Sequence, residues 1–106
     1  MKISSEEVRK KINDGDTFIV DFYADWCGPC RMLSPIIENV SKKLEEEGHK
    51  VKVYKFNIEE DRDLAVELGV RSIPNIKGFV GGKMTSNKVG MLSEDQLIEM
   101  ANQLIL

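Results

Sequence analysis

The stretch Phe18-Ile-Val-Asp-Phe-Tyr-Ala-Asp-Trp-Cys-Gly-Pro-Cys30 holds both cysteines and the only tryptophan of the chain. Its first six residues, Phe18 to Tyr23, are large and mostly apolar on both alternating faces, the pattern of a central strand covered on each side. Beyond Cys30, Leu33, Ile36, Ile37, Val40 and Leu44 recur at helical spacing. Two thiols therefore lie where a buried strand hands over to an amphipathic helix. That is a place for chemistry rather than for stapling.

At the start of a helix, free backbone N–H groups and the helix dipole favour the thiolate of Cys27. A thiolate, not a thiol, attacks a disulfide sulfur. Cys30 is one helical turn further on the same face and can reach back. Gly28-Pro29 constrains the turn between them and supplies a helix-ready φ. The expected sequence is attack by Cys27, a mixed disulfide, and resolution by Cys30. A purely structural disulfide weighs less, because so short a loop restricts little of the unfolded chain. Asp21 is the second unusual residue. A lone carboxylate in a buried strand bears a desolvation cost that raises its pKa. Proton exchange with the buried thiol fits such a group better than simple pairing with a buried lysine.

The totals agree with a single domain over residues 1–106 and one hydrophobic core. A net charge of -3 provides no field to draw nucleic acid or an anionic membrane. No apolar run approaches the roughly 18 residues that span a bilayer. The start, Met1 to Ile12, lacks the apolar region of a secretory signal, so a cytoplasmic location is expected. Two cysteines are fewer than a secreted disulfide scaffold carries. With His49 as the one other soft ligand, they do not complete a structural zinc site. His49 itself reads as a solvated turn residue between a helix and a strand.

Ser4 with Glu7 forms a capping box, stapled by Ile3 and Val8, ahead of a helix over about 5–13. Asn13-Asp-Gly-Asp16 ends it. The helix after Cys30 is expected to reach about Glu47, with Pro35 kinking it. Val51 to Asn57 reads as a strand, and Glu59 to Leu68 as a short helix capped by Gly69. Val70 to Pro74 is extended, because the residue before a proline leaves the helical region. Asn75 to Val80 and about Lys83 to Lys88 form a hairpin over Gly81-Gly82. Ser93 and Gln96 box the last helix, whose inner face carries Leu97, Met100, Ala101 and Leu104. Alternating helices and strands followed by a hairpin predict an α/β fold with a mixed sheet.

Asp21 to Cys30 closely resembles the active-site segment of the thioredoxin family, itself a known instance of a lowered CxxC thiol pKa. The resemblance continues through Lys55-Phe-Asn-Ile58, Gly69 to Pro74 and Lys88 to Ser93, and covers nearly the whole chain. It implies a thioredoxin fold: a central mixed sheet of four to five strands flanked by four helices, here with a short or missing first edge strand. It implies protein-disulfide reduction, with Cys27 the exposed nucleophile and Cys30 the buried resolver. It also places Lys55 on the adjacent strand facing Asp21, and makes Pro74 a cis-proline against the cysteines. Ile73 then offers backbone to an extended target. Trp26, Gly28, Pro29, Ile73, Pro74, Val89 and Gly90 correspond to the family's apolar docking surface. The implied partners are disulfide-containing proteins and an upstream thioredoxin reductase, with no nucleic acid and no membrane. The implied form is a monomer with no bound cofactor, its redox centre being the Cys27–Cys30 disulfide.

Several residues depart from the family's pattern. Tyr23 replaces a usual tryptophan, Arg31 a usual lysine, and Asn75 a common threonine. Ile76-Lys-Gly-Phe79 stands where large apolar residues are usual. Lys77 then needs a polar partner or a route to solvent, and Gly78 removes packing volume. A dithiol oxidant or isomerase on the same fold is disfavoured by Gly-Pro between the cysteines. An interaction module without turnover is disfavoured by the joint presence of CGPC, Asp21 and Pro74.

Overall fold

The computed structural model describes all residues from Met1 to Leu106. The elements are α1 (Ser5–Asp14), β1 (Phe18–Tyr23), α2 (Gly28–Glu46), β2 (Lys52–Asn57), a 3-10 turn (Ile58–Glu60), α3 (Arg62–Glu67), β3 (Asn75–Val80), β4 (Lys83–Val89) and α4 (Glu94–Gln103). The four strands form one sheet in the order β2-β1-β3-β4. β1 runs parallel to β2 and antiparallel to β3, and β3 is antiparallel to β4. The first edge strand, expected to be short or missing, is a single parallel bridge between Lys2 and Lys55.

β1 is fully buried, and its alternation divides the core in two. On one face Ile19 packs with Leu33, Ile37, Val40 and Leu44 of α2 and Leu97, Met100 and Ala101 of α4. On the other, Phe18, Val20 and Phe22 meet Phe56, Phe79, Val8 of α1 and Leu64 of α3. Phe18 stacks on Phe79 with ring centres 4.7 Å apart, and Phe22 meets Phe56 edge-on at 5.9 Å. Burying each such ring contributes about 2–3 kcal/mol. This double layer fixes the place of β1, and β1 leads directly into the cysteine segment.

Both capping boxes form, Ser4 with Glu7 and Ser93 with Gln96. Gly69 caps the chain leaving α3 at φ 76°. The helix expected over 59–68 is instead broken at Asp61. There the backbone is extended, and Oδ1 accepts from Leu64 N–H at 3.1 Å as the N-cap of α3. A residue that caps a helix with its side chain must itself leave helical φ/ψ, so one helix becomes a 3-10 turn and a cap. Asp61 also accepts from the Ser5 hydroxyl and lies 3.5 Å from Arg9, tying α3 to α1. His49 is half-buried rather than a free turn residue. Its Nδ1 accepts from Val51 N–H, and Nε2 faces Asn102 Oδ1 at 2.9 Å.

The volume missing at Gly78 is filled from α4 and its C-cap residue, Leu104. A Cβ built there would lie 3.1 Å from Leu104 Cδ2 and 3.2 Å from Met100 Cε. Leu104 and Met100 therefore occupy the space that a side chain would take. Lys77, on the opposite face and 1% exposed, bonds Asn87 Oδ1 at 2.8 Å. Burial lowers the pKa of its ammonium.

Candidate active site

Cys27 is the N-cap of α2, with Gly28 its first residue and Pro29 its second. The Cys27 sulfur accepts from Cys30 N–H at 3.2 Å, and the Cys27 carbonyl from Arg31 N–H at 3.1 Å. One open N–H at the helix start, that of Cys30, thus points at sulfur, and a donor so placed favours a thiolate. Cys27 and Cys30 are joined as a disulfide with Cα atoms 5.2 Å apart. The expectation of one exposed and one buried cysteine is only partly met: Cys27 is 6% exposed and Cys30 2%. In the bonded state Tyr23 and Ala24 pack around both sulfurs, with Ile73 and Ile58 alongside.

Ile73–Pro74 is a cis peptide, and the Cys27 sulfur lies 3.9 Å from the Ile73 carbonyl oxygen. Pro74 is buried, and its carbonyl accepts from Gly90 N–H at 2.9 Å. Two segments distant in sequence, 73–74 and 89–90, are thereby joined beside the cysteines. Val89 is 60% exposed and Trp26 65% exposed, so an apolar rim faces solvent around the disulfide. Trp26 is fixed at one edge, its indole N–H donating to Glu59 Oε1 at 2.6 Å. Gly28 and Ile73 are half-buried, and Pro29 is exposed. None of the main surface hollows is lined by Cys27 or Cys30.

Asp21 occupies the face of β1 between Ile19, which packs on α2, and Tyr23, which clusters with the cysteines. Its carboxyl is therefore directed under the first turns of α2. It is wholly buried, and neither carboxyl oxygen has a hydrogen-bond partner. Burial pushes its pKa up to about 7, against the smaller opposing pull of the Lys55 charge. Lys55 stands opposite Asp21 in the β1/β2 register, as expected. Its ammonium, however, donates to Ser34 Oγ, lies 3.5 Å from Glu38 Oε2, and sits 4.8 Å from the centre of the Tyr23 ring. Ser34 and Glu38 thus belong to the site, and neither stands out in the sequence. The only sequence signal for them is their position one turn apart on α2, above the face that carries Lys55.

A sequence-family model described as Thioredoxin matches residues 1–103. The thioredoxin of Rickettsia felis is 39% identical over 104 residues, covering 97% of this chain and 96% of that protein. The thioredoxin of Rickettsia bellii is 49% identical over 84 residues, 79% of this chain and 77% of that one. Among solved structures, a chloroplastic thioredoxin z superposes with a TM-score of 0.82 at 34% identity, covering 98% of this chain and 92% of its own.

Proposed function

As the chain belongs to the thioredoxin family and is a thiol-disulfide oxidoreductase of the protein-disulfide reductase kind, we propose that Cys27 attacks, Cys30 resolves and Asp21 exchanges the proton. In the reduced protein the Cys27 thiolate attacks one sulfur of a target disulfide. The target's S–S bond breaks, one target thiolate leaves, and Cys27 is left in a mixed disulfide. Cys30 then gives its proton to the Asp21 carboxylate and attacks the Cys27 sulfur. The mixed disulfide breaks, the second target thiolate leaves, and two electrons have passed to the target. The product is the Cys27–Cys30 disulfide of this structure.

The observation that carries this reading is the Cys27 sulfur at the start of α2, 3.9 Å from the Ile73 carbonyl. An extended target segment laid along Ile73 brings its disulfide to that sulfur. Trp26, Gly28, Pro29, Pro74, Val89 and Gly90 make up the docking rim. A rim without a deep hollow suits a protein chain better than a small ligand, which a cleft would engulf. Asp21 suits proton exchange because its pKa of about 7 allows both forms near neutrality. Lys55 acts through charge, opposing that rise.

Targets are disulfide-bearing proteins, and a separate reductase returns the dithiol. Residues 1–106 act as one domain, as a monomer in the cytoplasm, with the disulfide as the sole redox centre. No helix is long and apolar enough to cross a membrane. Reduction of a disulfide-bonded protein such as insulin, with dithiothreitol as electron donor, tests the assignment. Turnover that is lost in Cys27→Ser is expected. Turnover equal to the uncatalysed rate in the unaltered protein would overturn it.

A further inference from the structure

Lys77 is the least expected residue in the core, and its bonds lead toward the docking rim. It is 1% exposed and Asn75 2% exposed, both on the same face of β3. Asn87 lies opposite Lys77 in the β3/β4 register. Its Oδ1 accepts from Lys77 Nζ and from Asn75 Nδ2, each at 2.8 Å. Two donors converging on one amide oxygen settle which way that amide points. The Asn75 amide also donates to the carbonyl of Lys88 at 3.0 Å. The chain of bonds thus runs from Lys77 to Asn87, to Asn75, to the backbone just before Val89 and Gly90.

β4 needs such a fastening. It is an edge strand paired only with β3, and it is exposed along nearly its whole length. It also carries an irregularity opposite Gly78 and Phe79, and bulges weaken the ladder locally. Beyond Val89 the chain turns at Gly90, whose N–H reaches back to the Pro74 carbonyl. A buried ammonium with one hydrogen-bond partner is costly beside an apolar residue of similar size. Stability alone therefore gives no reason for a lysine at this position.

We propose that Lys77 is a positioning residue for target recognition, which through Asn87 and Asn75 holds the Lys88–Gly90 end of β4 against Pro74 so that an extended peptide flanking the target disulfide finds a preformed edge. This rests on the reading of Pro74, Val89 and Gly90 as the docking rim. It does not involve the sulfur chemistry.

The test compares a protein disulfide, insulin, with a small aromatic disulfide, dithiobis(nitrobenzoate), which needs no docking edge. Lys77→Met is expected to raise the KM for insulin about threefold to tenfold, the loss of a hydrogen bond. The kcat and the rate on the small disulfide stay at the unaltered value, and Tm stays equal or rises. Lys77→Gln keeps an N–H donor and is expected to retain most of the affinity. Asn87→Ala, at an exposed position, removes the shared acceptor; it leaves the Lys77 ammonium unpaired, so Tm is expected to fall, and it is expected to raise KM likewise. An unchanged insulin KM in Lys77→Met and Asn87→Ala overturns the proposal. So does an equal fall on both disulfides, which makes Lys77 a support of the fold or the dithiol. Val89→Asp separates the two readings: if it too leaves the insulin KM unchanged, the docking rim itself is wrong.

Discussion

Asp21 and Lys55 stand directly opposite each other in paired parallel strands, yet the Lys55 ammonium is held by Ser34 and Glu38 and neither Asp21 oxygen is hydrogen-bonded. The carboxyl is thus left in an apolar setting with a cation near enough to oppose its protonation but not to pair with it. Its folded pKa of about 7 lies above the ordinary 3.8. The folded state therefore binds the extra proton between those values. The associated stability is fully present below about pH 4 and is lost as pH rises through about 7.

Asp21→Asn removes that dependence. At pH 8 the variant is expected to be more stable than the unaltered protein by up to about 4 kcal/mol. The gain should shrink through pH 7 and vanish near pH 4. Urea denaturation at several pH values measures it, and equal stabilities at pH 8 would contradict the assignment. Turnover on insulin is expected to fall by about tenfold or more, the loss of a proton-exchange group.

Ser34→Ala combined with Glu38→Gln releases the Lys55 ammonium toward Asp21. An opposite charge that comes into contact favours the carboxylate, so the Asp21 pKa is expected to drop by about one pH unit or more. Carbon-13 NMR titration of the Asp21 carboxyl reads this directly. A titration midpoint that stays near 7 would show that Ser34 and Glu38 do not control it.

The cysteines are predicted to fail differently. Cys27→Ser has no nucleophile and is expected to be inactive. Cys30→Ser should attack once and accumulate a covalent complex with the target, since nothing resolves the mixed disulfide. Mass spectrometry of each variant mixed with oxidised insulin distinguishes them. Similar residual turnover in the two would remove the division of labour.

Two glycines should respond in the opposite order from their exposure. Gly78 is in the core, but its Cβ would meet only the flexible ends of Leu104 and Met100 at 3.1–3.2 Å. Gly78→Ala is expected to cost about 1 kcal/mol, the low end for overpacking a core. Gly82 is in the hairpin turn at φ 79°, and its Cβ would fall 2.2 Å from the Ile12 carbonyl oxygen. Gly82→Ala is expected to cost at least about 2 kcal/mol, from backbone strain and a backbone clash together. Thermal denaturation ranks the two.

Much of the site was legible because it is local. The cysteines, the helix N-terminus beside them and the buried aspartate lie within ten residues, and periodicity alone places them on β1 and α2. The hairpin and both capping boxes were likewise written in adjacent residues. Residues 59–68 read as one helix because Asp61 looks equally like a helical surface residue and a cap. Its ties to Ser5 and Arg9, more than fifty residues away, favour the cap.

By itself the sequence of this chain determined the setting of the chemistry: a strand–CGPC–helix junction with one cysteine at a helix start and the other one turn along. Tertiary structure decided how that chemistry is presented and tuned. Pairing of β3 with β1 carries Ile73 and Pro74 to Cys27, and α2 takes the Lys55 ammonium from Asp21. Packing of α4 fills the space above Gly78, and β4 supplies the acceptor that Lys77 requires. Each of these depends on which surfaces meet when the layers close, a relation between distant residues that no local pattern encodes.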